Sequence, residues 1–357
     1  MKILLVAPVY LNLYKIIKDE LVAEGHSVVY FPEGMLPWNP YYRYPNPIKR
    51  WVLRFLFEQR NMGKKYWVDR LNDSLFNQYY DLLFVIQGVT FHPCVTERMR
   101  KYNRLLKTVL YIWDSNYSYD FFRNVGYFDK VYSFDFRDVQ LFGHAKVGFL
   151  PFFWSKDLLK YDKTKNKYDL CSIGTSHHGR FGIFKKVIAD AKIKNRSCYI
   201  KLIARIPQKL TLKQQFDFFV AQVFQDLDKI EYYDFIKGKQ KYDFVDALPY
   251  EMEDIARITA EAKAVLDTDN PFQCGTTPRL IWALAQNKHV YTTNQQISKL
   301  PFYNKEYIHI INREKPIIDY SLLDKQINSR DSVIYLRIDN CLHVFFFFVD
   351  TLDFILD

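Results

Sequence analysis

The sequence predicts an α/β protein made of two Rossmann-like domains. Three observations carry this prediction: short β-rich apolar runs alternate with helical patterns, the alternation starts again after a polar stretch near residue 160, and 357 residues suffice for two cores. Alternation of this kind implies mainly parallel sheets covered by helices.

In the first half, residues 2–7 form a strand, 11–24 carry a helical pattern and Ser27 to Phe31 form the next strand, completing a βαβ opening. Further strands are expected at 82–87, 107–112, 130–134 and 147–150. Residues 155–167 are polar, lack a buried period and read as a linker between a domain at 1–154 and a domain at 168–335. The second domain has expected strands at 168–173, 199–204, 263–267, 289–293 and 307–311, with helices near 180–194, 213–229, 250–261 and 278–286. Two such domains in succession predict a cleft where the carboxyl ends of both sheets face one another. Residues 336–357 read as a terminal segment docked on the body, because the apolar run from Leu342 to Leu356 is interrupted by His343, Asp350 and Asp353. It falls short of the roughly 20 residues that span a bilayer.

A formal charge of +10 favours an anionic partner, with phosphate-bearing small molecules, anionic lipid and nucleic acid all open. Cys94, Cys171, Cys198, Cys274 and Cys341 are odd in number and widely spaced, which suits reduced thiols in the cytoplasm; no spacing suggests zinc. The opening Met1 to Pro8 is too short an apolar stretch for a signal peptide.

The segment 36–67 interleaves aromatic residues such as Trp38, Trp51 and Phe55 with Arg43, Lys49, Arg50, Arg54 and Arg60. Its helical part, Ile48 to Asn61, places Ile48, Trp51, Val52, Phe55 and Leu56 on one apolar flank. Two readings stand: an insertion packed on its own domain with a solvated basic face, or an interfacial helix that meets an anionic bilayer. A single-stranded nucleic acid is a weaker third, because no recognition motif accompanies the segment.

Three constellations carry chemistry. The first runs from Ala264 to Asn294: a buried strand, a polar turn through Gln273 and Gly275, a helix opening on Thr276-Thr-Pro-Arg279, and a second strand ending in Thr-Thr-Asn. Thr276 or Thr277 can cap the helix and Pro278 suits its first turn, so backbone N–H groups and Arg279 would share one end as an anion site. Asp267 and Asp269 in the same stretch imitate a metal-binding Asp-x-Asp pair, although a capping or loop role fits their strand-end position better. The second constellation is Gly174-Thr175-Ser-His177-His178-Gly-Arg180, between a strand and a helix. It has the spacing of a phosphate-binding turn, but Arg180 and Phe181 replace the lysine and Ser/Thr of a P-loop, which disfavours an NTPase; a plain structural turn is the alternative. The third is Trp113-Asp114-Ser115, which closes an apolar strand with a carboxylate that could serve as a general base or as a helix cap. Gln87 ends the preceding strand and should lie near the same crevice. No Gly-x-Gly-x-x-Gly and no Gly-x-Ser-x-Gly occurs, which disfavours dehydrogenases of the standard kind and α/β-hydrolases.

Leu266-Asp267, Gln273-Cys-Gly275-Thr-Thr277-Pro-Arg279 and Thr292-Thr-Asn294 resemble a motif of bacterial GT-B glycosyltransferases, particularly the CgeB-like and capsular or lipopolysaccharide biosynthesis proteins. Leu248-Pro-Tyr250-Glu-Met-Glu253 and Trp113-Asp-Ser115 resemble further stretches of that group. The resemblance implies a GT-B hexosyltransferase that needs no metal and no cofactor beyond a nucleotide-diphosphate sugar as substrate. Gly174, Thr175, His177, Arg180, Arg205, Tyr250, Gln273, Gly275, Thr276, Thr277 and Arg279 would lie on the donor side, Gln87 and Trp113 on the acceptor side, with Asp114 catalytic. A glutamate that many such proteins carry three residues after the arginine is Trp282 here, so another residue would bind that hydroxyl pair or donor handling differs. The implied acceptor is a cell-surface glycan or lipid-linked glycan, in a cytoplasmic protein peripheral to the inner face of the membrane. DNA glucosylation on the same fold and a non-catalytic glycan or lipid-surface module are the rival functions, discriminated by salt-dependent duplex binding and by sugar-nucleotide turnover.

Overall fold

The computed structural model describes residues 1–9, 12–34, 48, 51–52, 55, 62–71, 74–117, 120–143, 146–161, 166–177, 179–204 and 209–341. Most of residues 36–61 of the 36–67 insert, residues 162–165 of the linker, His178, Arg205 and the terminal stretch 342–357 lie outside this set. The chain forms two compact units. Unit 1 comprises Met1–Ser155, Phe272–Pro278 and Ile334–Asp357; unit 2 comprises Lys156–Pro271 and Arg279–Val333. No single break therefore divides the chain, and the partition runs through the first turn of a helix.

Unit 1 holds a six-stranded parallel sheet of β1 (Lys2–Ala7), β2 (Ser27–Pro32), β3 (Leu82–Ile86), β4 (Lys107–Ile112), β5 (Lys130–Ser133) and β6 (Gly148–Phe149), in the order β2-β1-β3-β4-β5-β6. Its helices include α1 (Leu13–Ala23), α2 (Met62–Arg70), α3 (Cys94–Arg100), α4 (Phe122–Val125) and α5 (Phe136–Phe142). β3 is buried along its whole length, as its continuous Leu-Leu-Phe-Val-Ile run requires of a strand covered on both faces. Strand order reverses between β1 and β3, so the crevice of unit 1 opens at the carboxyl ends of those two strands.

Unit 2 holds a second parallel sheet of β7 (Tyr168–Thr175), β8 (Cys198–Ile203), β9 (Val245–Asp246), β10 (Ala262–Asp267), β11 (His289–Thr292) and β12 (Ile308–Ile310). Its order is β12-β11-β10-β7-β8-β9, which puts the reversal between β7 and β10. Its helices include α6 (Arg180–Ile193), α7 (Leu212–Val223), α8 (Leu227–Ile236), α9 (Met252–Ala260) and α10 (Pro278–Ala285). The single helix expected over 213–229 is thus two, because Asp226 caps a new helix by accepting the Lys229 N–H. The core under α6 gathers Phe181, Phe184, Val187, Leu202, Phe235 and Leu266.

The excursion Phe272–Pro278 is tied to unit 1 by specific contacts. The Cys274 N–H donates to buried Asp135 (2.9 Å), Arg137 donates to the Phe272 carbonyl (2.6 Å), and the Thr276 hydroxyl accepts from the Phe152 N–H (3.1 Å). The Phe272 ring stacks on Tyr117 with centroids 5.0 Å apart. Gly275 lies so close to Phe134 that a Cβ there would sit 2.3 Å from the ring, which explains the glycine by packing. Gly275→Ala should therefore cost about 1–3 kcal/mol by overpacking, seen as a lower denaturation midpoint at unchanged slope; an unmoved midpoint would contradict this packing.

Candidate functional site

At the carboxyl edge of the unit 2 sheet two arginines, each at the start of a helix, are spent on the protein itself. Arg180, first residue of α6, donates through Nε to the Thr268 hydroxyl (2.6 Å), through Nη1 to the Thr175 carbonyl (2.5 Å) and through Nη2 to the Thr268 carbonyl (2.9 Å). Arg279, in the first turn of α10, donates to the carbonyls of Ile173 (2.7 Å) and Thr268 (3.2 Å), and its Nε lies 3.5 Å from buried Asp267. Both guanidinium groups converge on one carbonyl, beside the β7/β10 reversal. Gly174 is what lets them do so: a Cβ there would stand 2.6 Å from Arg279 Nη1 and 3.0 Å from Arg180 Cδ.

The two aspartates of the Asp-x-Asp stretch are likewise committed. Asp267 accepts from the Thr292 hydroxyl (2.8 Å), while Asp269 pairs with Arg313 (2.8 Å) and accepts from Thr293. Burial raises the Asp269 pKa, and the Thr293 hydrogen bond and Arg313 oppose it. Among the described residues no group of three or more His, Cys, Asp or Glu is placed to hold a metal.

A cavity of about 1130 Å³ opens beside this edge, lined by Thr175, His177 and Arg180 at the β7–α6 turn and by Tyr232, Lys229 and Arg313 from later elements. Gly179, in the left-handed region at φ 72°, turns the chain into α6. Burial and then the Arg180 charge lower the His177 pKa, which favours a neutral imidazole. Three acids share the rim: Asp226 is paired with Lys229 at 2.8 Å, Asp228 with Lys186 at 2.6 Å, and Glu314 is exposed beside Arg313 in the chain. Of the residues read from sequence as donor-side, Thr175, His177 and Arg180 are brought together here; Gly174 and Arg279 pack on each other and do not line the cavity. Gln273, Gly275 and Thr276 belong to unit 1, and Thr277 falls in the same excursion. Tyr250 is held by Asp246 (2.5 Å) and Tyr199 (3.0 Å) and is not part of the lining, and Arg205 lies outside the described residues. Trp282, on α10, is buried and does not line the cavity either. Arg313, Lys229 and Tyr232 are not legible from the chain as cavity-lining residues, because isolated charges and aromatics in helical or polar stretches carry no spacing signal.

Unit 1 has its own polar centre at its sheet's carboxyl edge. Half-buried Asp114 accepts from Gln87 Nε2 (2.5 Å) at one oxygen and from Gln273 Nε2 (3.0 Å) at the other, while Gln87 Oε1 accepts the Trp113 N–H (2.8 Å). Burial raises the Asp114 pKa and the two amide donors pull it back. Gln87, Trp113 and Asp114 therefore form one hydrogen-bonded group, and Gln273 joins them. Gln87 and Gly88 both adopt positive φ, at 70° and 63°, an unusual conformation for the glutamine.

Glu33, which no motif marks, holds that turn. Its carboxylate accepts from the Gly88 N–H (3.0 Å), the Thr90 N–H (2.7 Å) and the Thr90 hydroxyl (3.0 Å) while 7% exposed. Burial pushes its pKa up to about 7, against these donors and the Arg123 charge. Between the ordinary 4.5 and about 7 the native state therefore holds a proton that the unfolded chain has released. Stability from this group is greatest below that window and falls as pH rises through it, by at most about 1.4 kcal/mol per pH unit. Melting curves should show the wild type losing stability relative to Glu33→Gln as pH rises from 4.5 to 7; a constant difference would mean that Glu33 is ionised throughout.

The architecture has counterparts among solved structures. The chain is similar to the structure described as trehalose-6-phosphate from E. coli bound with UDP-2-fluoro glucose, at 11% identity and a TM-score of 0.59, covering 98% of this chain and 99% of that one. It is similar to a UDP-forming α,α-trehalose-phosphate synthase from Burkholderia vietnamiensis at 12% identity and a TM-score of 0.51, over 96% and 94% of the two chains. A sucrose-phosphate synthase from Thermosynechococcus elongatus gives 11% identity and a TM-score of 0.50 over 98% and 99%. No family model and no curated protein matches the sequence. At such identities the likeness is one of fold, and with two parallel six-stranded sheets in two α/β units, the chain has the fold of the GT-B glycosyltransferases.

Proposed function

We propose that this protein is a metal-independent glycosyltransferase that moves a hexose from a nucleotide-diphosphate sugar to a lipid-linked or cell-surface glycan acceptor. The observation that carries the reading is the 1130 Å³ cavity at the carboxyl edge of the unit 2 sheet, where the β7–α6 turn meets Arg180 and Arg313. Sheets of this type take ligands at that edge, and a helix start with nearby guanidinium groups favours a diphosphate. The aromatic wall at Phe181 and Tyr232 suits a base or sugar ring. The fold supports the same reading, since solved structures of like architecture include trehalose- and sucrose-phosphate synthases. The motif from Gln273 to Arg279 adds the likeness to capsular and lipopolysaccharide enzymes.

In the reaction the acceptor oxygen bonds to the anomeric carbon as the bond to the diphosphate breaks. The leaving diphosphate keeps the electron pair, and the start of α6 with the Arg180 guanidinium stabilises it. Asp114 takes the acceptor proton; burial, which raises its pKa, makes it a stronger base than an exposed aspartate. Arg279 acts indirectly, by shaping the floor on which Arg180 is held.

A peripheral position on the inner face of the cell membrane completes the proposal. Ile48, Trp51, Val52 and Phe55 support it, being helical and exposed in a stretch rich in Lys and Arg. Among the described residues no helix is long and apolar enough to cross a membrane.

Titration calorimetry with UDP, GDP, ADP and CMP species tests the donor site. At least one should bind, Arg180→Ala should weaken it by about tenfold or more, and absence of all binding would sink the proposal. Asp114→Asn should lower transfer by about 10²–10⁴-fold while leaving donor affinity within twofold; unchanged turnover would remove Asp114 from the chemistry.

A further inference from the structure

Helix α7, Leu212–Val223, is apolar on two faces, and only one of them is used. Phe218 and Ala221 enter the core of unit 2, with the Phe218 ring edge-on to Tyr233 at 5.5 Å between centroids. On the other side Leu212, Phe216, Phe219 and Val223 follow i, i+4, i+7, i+11 spacing and so share one stripe. They are exposed by 85, 65, 61 and 59%, and Phe224, just past the helix end and off this stripe, is exposed by 78%. Single exposed apolar residues need no explanation, but four in one row, two of them phenylalanine, with Phe224 beyond its end, mark a surface that meets something apolar.

The surrounding charge says what kind of apolar surface. Most nearby acids are neutralised locally: Asp226 by Lys229, Asp228 by Lys186, Glu231 by Lys185 and Asp234 by Lys239. Lys209 and Lys213 are exposed at the amino end of the stripe, Lys237 lies 3.7 Å from the Phe218 ring centroid, and Lys241 is exposed beyond α8. Asp217 on α7 opposes these lysines, yet from Lys209 to Lys241 six lysines still exceed five acids, and Lys185 and Lys186 of α6 add to the positive side, on a chain whose formal charge is +10. We propose that the exposed face of α7 docks on an anionic lipid bilayer, with the phenylalanines at the acyl boundary and the lysines at the headgroups. A lipid surface accounts for both halves of the pattern, since such helices join a buried apolar face to electrostatic attraction. This contact is separate from the Ile48–Phe55 stretch of unit 1 and does not depend on the glycosyltransferase reading.

The test is co-sedimentation of the full chain with vesicles of phosphatidylcholine alone or mixed with equal phosphatidylglycerol. The wild type should sediment with the anionic vesicles and release as salt rises. Phe216→Ser with Phe219→Ser should weaken that partition by about tenfold or more, with melting temperature and nucleotide binding unchanged. Lys209→Glu with Lys213→Glu should weaken it on anionic vesicles, giving a second variant should the first fold poorly. Trp51→Ser with Phe55→Ser serves as the comparison for unit 1. The inference is overturned if the α7 variants partition like wild type, if neutral and anionic vesicles bind alike, or if sedimentation velocity shows that the phenylalanine pair holds two copies together while vesicle binding persists. Loss of all nucleotide binding would sink the proposed enzyme and leave this docking face standing.

Discussion

The carbonyl of Thr268 is the point on which the carboxyl edge of unit 2 depends. Two guanidinium groups, from Arg180 and Arg279, reach it from the starts of two different helices, and each also ties down a carbonyl of β7. Charged hydrogen bonds of this kind contribute about 1.5–3 kcal/mol each. Here they cross-link β7, α6, β10 and α10 where the strand order reverses. A cation in the first turn of a helix is unfavourable by itself. Backbone carbonyls, with Asp267 beside Arg279, provide the negative partners that make it tolerable. The cavity owes its floor to this arrangement, because Arg180 would otherwise be a mobile side chain rather than part of a wall.

Unit 1 holds its own turn through a buried carboxyl instead. Glu33 is a buried carboxyl whose three donors all come from the turn that follows β3, and that turn carries two successive residues at positive φ. The strained turn places Gln87, and Gln87 in turn orients Asp114. Gln273 closes the group from a stretch 159 positions away in the chain. The carboxylate offered as a base is therefore positioned by amides rather than by cations, which leaves its pKa raised by burial.

Much of this fold was legible in advance, and the residues show why. Strands such as Leu82–Ile86 and Lys107–Ile112 are apolar runs bounded by polar turns, so their type and place follow from local pattern. The β7–α6 turn, readable from the chain as a phosphate-binding turn or a plain structural one, lines the cavity with Thr175, His177 and Arg180. Gly174 and Gly275 each sit against a side chain, of Arg279 and of Phe134, that no local spacing predicts. Arg313 and Glu33 were invisible because a single charged residue has no period.

The sequence by itself determined the alternation of strands and helices, the existence of two α/β units and the placement of an arginine at the start of each of two helices. Those properties are local, set by side-chain periodicity and by what each residue type does at a helix end. Only tertiary packing fixes where the arginines' N–H groups go, that Phe272–Pro278 belongs with unit 1, and that Phe216 and Phe219 of α7 stay outside the core while Phe218 enters it. Such outcomes depend on partners far apart in the chain, as Arg180 and Thr268 are at 88 positions, and on which face of an element the packing leaves uncovered.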